Sequence, residues 1–374
     1  MALAPGAKGR VRLTGLLEFY RGGGLRDVEI AWERWGELRD DNLVLIFTGL
    51  SPSAHAAASS ADETPGWWEA MIGPGKPFDT NHWCVVCMNS LGSCFGSTGP
   101  ASVNPATGER YRLDFPTLAL EDVARAARGA LRALDYPAPQ VVCGPSLGGM
   151  SALAFALQFP ELAPNLMLLS TAMRARPFAI AIRSMQREAI RSDPAWQGGQ
   201  YAPDAEPVAG MRLARKIGML SYRSPEEWCE RFGNERVPGY QPGSVMDFGI
   251  EFQIESYLEA HAERFVGSFD ANCYMYLSHA MDAFDVAEHG GGDANRALAT
   301  LQVERALVVG VESDFLFPPD QQRVLGAALG ATGASTTTTL LDSPQGHDSF
   351  LADHARFGPV MGSFLETIPA CDRS

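Results

Sequence analysis

The feature that most limits what this chain can fold into is the run Gly144-Pro145-Ser146-Leu147-Gly148-Gly149. It follows the apolar Val141-Val142-Cys143 and leads into Met150-Ser-Ala-Leu-Ala-Phe155, so it reads as the turn between a buried strand and a helix. Small residues at 144 and 148 permit a sharp, strained turn that presents the serine hydroxyl above a sheet edge. The helix beginning there aims backbone N–H groups and a positive dipole end at the same point, where an oxyanion would develop. In a chain with 38 glycines the G-x-S-x-G pattern is weak by itself; its strand–turn–helix context makes Ser146 a candidate nucleophile.

A serine hydroxyl needs a base, and the base needs an orienting carboxylate. With an elbow of this kind both partners follow the serine, in the order Ser, Asp/Glu, His, at the ends of late strands. Asp314 closes the apolar run Ala306-Leu-Val-Val-Gly-Val-Glu-Ser-Asp314, and His347 sits in the loop Ser343-Pro-Gln-Gly-His347 before the last helix. His261, His279, His289 and His354 fall in helical patterns or beside glycine-rich loops and read as structural. The oxyanion donors are expected to be the N–H groups of Leu147 and of Leu50, in the early loop Thr48-Gly-Leu-Ser-Pro-Ser-Ala-His55. Pro52 stiffens that loop, and His55 packs or bonds locally within it.

The rest of the chain alternates strand and helix patterns. Val11–Phe19 and Val28–Trp35 read as a hairpin, Leu43–Phe47, Trp83–Met88, Gln140–Cys143 and Leu166–Leu169 as buried strands, and Pro116–Leu134 and Leu147–Gln158 as helices. Arg305–Gly310, a helix at Pro319–Leu329, the strand Thr336–Leu341 and a helix from Ser349 to Leu365 resume the rhythm near the end. Such alternation means an α/β fold, a mostly parallel sheet with helices on both faces. The stretch 172–292 is Arg-, Met- and Trp-rich with helical periodicity, and reads as a helical lid inserted between core segments 1–171 and 293–374.

Composition excludes other classes. With 46% apolar and 20% charged side chains, disorder is out. The 44 acidic against 30 basic residues leave a net charge of −14, a poor match for nucleic acid or an anionic membrane. No apolar run approaches the roughly 18 residues of a membrane span and no leader pattern opens the chain, so a soluble cytoplasmic protein is expected. The seven cysteines (84, 87, 94, 143, 229, 273, 371) mostly sit among apolar residues, as reduced buried thiols do. Cys84-x-x-Cys87 lies in a strand pattern, where i and i+3 face opposite ways, so no metal is expected there.

With these residues in place the chain resembles the homoserine/serine O-acyltransferases of the α/β-hydrolase fold. The resemblance runs through Asn89-Ser-Leu-Gly-Ser-Cys-Phe-Gly-Ser-Thr-Gly-Pro100, Asn104-Pro-Ala-Thr-Gly108, Asp114-Phe-Pro116 and Gly144–Met150. It continues in Ala214-Arg-Lys-Ile-Gly-Met-Leu-Ser-Tyr-Arg-Ser224, Phe252-Gln-Ile-Glu-Ser-Tyr-Leu258 and Gly346-His-Asp348, covering residues 15 to 365. It implies a ping-pong enzyme whose serine takes an acyl group from acyl-CoA, a co-substrate with no bound cofactor, and passes it to an amino-acid hydroxyl. It further implies that Arg215 binds the acceptor carboxylate, Asp348 its ammonium, and that Tyr222 lines the pocket. A homodimer through the lid helices is expected on the same ground.

Two departures bear on substrate. Homoserine acetyltransferases of the family read Leu-Thr-Gly where this chain has Leu50-Ser51-Pro52, and the crowding proline favours serine, one methylene shorter. Succinylating relatives place an arginine where this chain has Phe95, and an apolar ring cannot pair the free carboxylate of a succinyl donor. The resulting expectation is acetyl transfer from acetyl-CoA to L-serine, feeding cysteine synthesis or a specialised product, with serine O-succinyltransferase and homoserine O-acetyltransferase as alternatives and a plain esterase or thioesterase behind them. Arg183, Arg187 and Arg191, at i+4 spacing after Arg174 and Arg176, read either as a stripe for CoA phosphates or as a solvated face paired with Glu188.

Overall fold

Apolar runs too short for helices and buried on every residue set the centre of the fold. In the computed structural model, which describes residues 3–240 and 249–369, eight strands of the described chain form one sheet. They are β1 (Gly6–Arg12), β2 (Glu29–Trp35), β3 (Leu43–Phe47), β4 (Cys84–Met88), β5 (Val141–Pro145), β6 (Asn165–Leu169), β7 (Arg305–Val311) and β8 (Ser335–Leu341), in the spatial order β1-β2-β4-β3-β5-β6-β7-β8. From β4 to β8 all pairings are parallel; β1 and β2 add an antiparallel edge. Strands β3 to β6 are buried on both faces, as a covered parallel sheet requires.

Two apolar clusters flank the sheet. Leu43, Leu45 and Phe47 face one with α1 (Leu120–Ala133) and α2 (Leu147–Gln158), while Val44 and Ile46 face the other. Cys84 and Cys87 of β4 fall in opposite clusters, and burial lifts both thiols, Cys84 to about 11. Among the described cysteines Cys229 alone is exposed; Cys371 lies outside the described residues.

Between β6 and β7 the described chain carries helices and no sheet strand: α3 (Pro177–Ser192), α4 (Val208–Tyr222), α5 (Pro225–Phe232), α6 (Gln253–Phe265), α7 (Ala271–Ala283) and α8 (Ala294–Leu298). They sit at the carboxyl ends of the strands, where open α/β sheets bind ligands. After β7 come α9 (Pro319–Ala331), then α10 (Ser349–Ala352) and α11 (His354–Glu366) after β8. No helix of the described residues is long and apolar enough to cross a membrane.

Three expected elements differ. The first hairpin is split: β1 pairs with β2, but the chain turns at Gly15 (φ +82°), and Leu16–Glu18 pairs with Gly24–Arg26 as a separate ribbon. The helix expected from Pro116 starts at Leu120, because the Asp122 carboxylate accepts the N–H groups of Ala119 and Tyr20 and fixes the start there. The last helix breaks at Asp353, whose carboxylate accepts from Ser343 Oγ and Arg356 Nη1 instead of facing solvent.

Candidate active site

The turn after β5 is as tight as its glycines allow. A Cβ on Gly144 would stand 2.2 Å from the Gly148 carbonyl, and one on Gly148 would stand 2.3 Å from the Phe47 carbonyl oxygen at the end of β3. Ser146 is held at φ 56°, ψ −121°, a region that residues with a Cβ rarely enter. Its N–H donates to Leu169 O, and its carbonyl accepts from Thr171 Oγ1 at 2.7 Å. Gln322 Nε2 of α9 donates in turn to the Thr171 carbonyl, so β6 and α9 brace the elbow.

Ser146, His347 and Asp314 meet although they lie up to 201 residues apart. His347 Nε2 is 2.9 Å from Ser146 Oγ and Nδ1 is 2.8 Å from Asp314 Oδ2. The second oxygen of Asp314 accepts the N–H groups of Leu316 and Phe317, both at 2.9 Å, which fixes the carboxylate's orientation. All three side chains are nearly out of solvent, at 8%, 3% and 2% exposure for Ser146, His347 and Asp314. The imidazole is wedged between rings: Phe317 stacks on it, Phe350 meets it edge-on and Tyr222 leans over it at 6.1 Å. Such a set can pass a proton from Ser146 to His347 while Asp314 stabilises the imidazolium.

The loop 48–55 packs against the elbow. A Cβ on Gly49 would touch Pro52 at 3.7 Å and the Pro145 carbonyl at 4.0 Å, so the loop lies against the residue that precedes Ser146. Leu147 is the first residue of α2, and its N–H has no intrahelical acceptor. Asn89 Nδ2 donates to the Pro52 carbonyl at 3.4 Å and ties this loop to the segment bearing Phe95.

The lid meets the triad loops at the end of α4 and, through Phe178 of α3 on Phe315, beside Asp314. Gly346, at φ +66°, lies so close to the end of α4 that a Cβ would stand 2.8 Å from Ser224 N and 3.0 Å from Tyr222 O. Ser224 Oγ donates to the Pro344 carbonyl. Asp348 therefore faces the 222–224 segment: Arg223 Nε is 3.4 Å from its carboxylate. Burial raises the Asp348 pKa, against the pull of Arg223, His347 and Arg215. Burial also raises the Tyr222 pKa, with Arg215 opposing it. Arg215 stacks on Phe265 at 4.6 Å and lies 5.9 Å from the Tyr222 ring, and its Nε is buried with no hydrogen-bond partner. Among the described residues no carboxylate pairs with Arg215. Phe95 lies farther out, its ring edge-on to Phe269, which stacks on Phe265.

Two further groups join the site without a clear sequence signal. Arg223 was visible only as a neighbour of Tyr222. Arg183 belonged to the basic stripe, and the stripe divides: Arg183 and Arg187 turn inward and share the carboxylate of Asp282 on α7, Arg174 and Arg176 pair with Asp285 and Asp320, and Arg191 is exposed. Arg183 is 5% exposed, its Nη2 has no partner, and its charge is felt at Tyr222 and Tyr274. A helical period of 3.6 marks which residues share a face, but not which face is covered.

The sheet order, the strained elbow and the Ser–His–Asp geometry define the α/β-hydrolase class, and the alpha/beta hydrolase fold family matches residues 42–353. Serine O-succinyltransferase of Litchfieldella anticariensis is 55% identical over 96% of this chain and 99% of the relative; that of Stenotrophomonas maltophilia is 54% identical over 94% and 95%. Homoserine O-acetyltransferase from Bacillus anthracis superposes with a TM-score of 0.87 at 26% identity, covering 98% of this chain and 100% of that one. Esterase E22 superposes at 0.86 and 25% identity, over 96% and 100%. The chain belongs to the homoserine/serine O-acyltransferase family of the α/β-hydrolase fold, and it is an enzyme of the O-acyltransferase type.

Proposed function

We propose that this protein transfers a succinyl group from succinyl-CoA to the hydroxyl of L-serine through an acyl-Ser146 intermediate. The observation that carries the donor assignment is a charge mismatch. Arg215 lies 5.9 Å from the Tyr222 ring and the charge of Arg183 acts on the same phenol; each guanidinium holds a buried nitrogen without a partner, and Arg183 shares its carboxylate, Asp282, with Arg187. Buried unpaired charge is costly, and a reaction that brings two carboxylates supplies the missing partners. The amino acid's carboxylate suits Arg215 and the donor's free carboxylate suits Arg183. Acetyl transfer would leave Arg183 and Arg187 with the single carboxylate of Asp282 between them.

The acetyl donor expected from Phe95 therefore yields to succinyl. Phe95 packs into an aromatic row with Phe269 and Phe265, and the cation assigned to the donor in this reading is Arg183 of α3. Relatives at 51–55% identity carry the name serine O-succinyltransferase, which supports the same donor and acceptor.

In the first half-reaction His347 Nε2 takes the Ser146 proton as Oγ adds to the thioester carbonyl. The N–H groups of Leu50 and Leu147 hold the oxyanion, and collapse expels CoA thiolate, which recovers the proton from His347. In the second, His347 takes the proton of serine's hydroxyl, whose oxygen attacks the acyl ester, and Ser146 leaves with that proton. Asp348 takes the ammonium, and Pro52 and Ser51 limit acceptor length. Water is a poor competitor because the triad is buried beneath the lid and the acceptor is clamped at both ends.

The test is CoA release with succinyl-CoA or acetyl-CoA crossed with L-serine or L-homoserine. Fast turnover with succinyl-CoA and serine is expected. Acetyl-CoA winning removes the Arg183 argument, homoserine winning removes the Pro52 argument, and equal release without any amino acid means a hydrolase.

A further inference from the structure

The loop that carries Leu50 ends at His55, whose ring makes three contacts, a longer one of 3.2 Å to Thr64 Oγ1 and two shorter ones that together require a proton. Its Nε2 lies 2.8 Å from the Thr64 carbonyl oxygen, which only accepts, so Nε2 bears hydrogen. Its Nδ1 lies 2.9 Å from Glu33 Oε2 on β2. Without a second proton, the Nδ1 lone pair would face a carboxylate. Glu33 is 3% exposed and its other oxygen has no partner, so His55 is its hydrogen-bond partner among the described residues.

The remaining charges around the pair are few. Asp62 Oδ2 is 4.0 Å from His55 Nδ1 and is itself held by Lys8 of β1 at 2.7 Å. Cys87 of β4 lies opposite Glu33 as an uncharged thiol. Burial opposes the imidazolium, but the hydrogen bonds to Glu33 and Thr64 outweigh it and raise the His55 pKa. The loop has lighter ties besides: Trp67 Nε1 donates to the Ser53 carbonyl at 3.0 Å and Asn89 to that of Pro52.

We propose that His55, as an imidazolium held by Glu33, is a positioning residue that seats the 48–55 loop and with it the Leu50 oxyanion donor. The proposal rests on Ser146 being the nucleophile. When the shared proton leaves, two lone pairs face each other and the loop loses its anchor. Catalysis then declines at alkaline pH, a fall the triad cannot cause, since His347 accepts a proton only when neutral.

The readout is acylation of Ser146 by p-nitrophenyl acetate, followed with CoA release across pH 6 to 10. His55→Gln alone strands the Glu33 charge, so it is compared with the double variant His55→Gln/Glu33→Gln, an uncharged amide pair. The wild type should lose rate at alkaline pH; the double variant should fold, run about tenfold slower at pH 7 with KM within twofold, and show no alkaline fall. A double variant that keeps the wild-type kcat, or keeps the alkaline fall, overturns the proposal. Absence of Ser146 acylation in the wild type overturns the nucleophile reading instead.

Discussion

Arg223 Nε stands 3.4 Å from the carboxylate of Asp348, the residue next to His347, so the lid's α4 and the triad loop are joined by an ion pair at the mouth of the site. The guanidinium opposes the burial that raises the Asp348 pKa, and on the proposed mechanism this carboxylate receives the acceptor's ammonium. Arg223→Ala is expected to raise KM for the amino acid about tenfold and to leave the acylation half-reaction within about twofold. Pre-steady-state acylation measured beside steady-state turnover separates the two.

Ser146→Ala should remove the acyl-enzyme altogether and reduce turnover by at least about 10⁴-fold. Intact-protein mass after incubation with succinyl-CoA, without acceptor, should show the added succinyl group in the wild type and none in the variant. A wild type that turns over without ever carrying the adduct would exclude the ping-pong route.

Arg183→Met keeps the bulk of the buried side chain and removes its charge. Succinyl-CoA efficiency should fall about 10²-fold while acetyl-CoA efficiency holds or rises, a reversal of donor preference read from kcat/KM for each. Equal losses for both donors would mean that Arg183 only supports the lid.

Burial lifts Asp122 from 3.8 to about 6 despite two backbone N–H groups donating to it. The folded state therefore binds this proton more tightly than the unfolded chain. The resulting stability is fully present below about pH 4 and is lost as pH rises through 6. The shift corresponds to about 3 kcal/mol. Relative to Asp122→Asn, which has no such proton, wild-type stability should drop by about 2 kcal/mol between pH 4 and 6.5 in urea unfolding. A constant difference would show an ordinary carboxyl.

Two glycine-to-alanine changes should behave oppositely. At Gly148 the new Cβ would meet the Phe47 carbonyl at 2.3 Å and the Thr48 carbonyl at 2.8 Å, both backbone, so Gly148→Ala should destabilise by about 3 kcal/mol or more. Gly330, near the end of α9, has only ordinary contacts at 3.8 Å, and Gly330→Ala should stabilise by about 0.5–1 kcal/mol. Thermal denaturation of both against the wild type checks the sign.

Local pattern alone determined the central strands, the elbow and the members of the triad. Leu43–Phe47 and Val141–Cys143 are apolar at every position, which only a sheet covered on both faces satisfies, and glycines bracket Ser146 because no side chain fits at 144 or 148. Asp314 and His347 followed from chain order and from lying just past strands. What the sequence left open were matters of direction. The arginines of α3 have a readable spacing, but only packing against α7 turned Arg183 and Arg187 toward a single Asp282. Phe95 was legible as an apolar residue, whereas its place in a row with Phe269 and Phe265 depended on the lid. His55 meets its partner Glu33 on β2, 22 residues earlier, which nothing in the local sequence of either signals. Periodicity and turn chemistry are short-range and survive in one dimension; the pairing of buried charges is set by which elements come to share a low-dielectric interior, and that is decided in the tertiary structure.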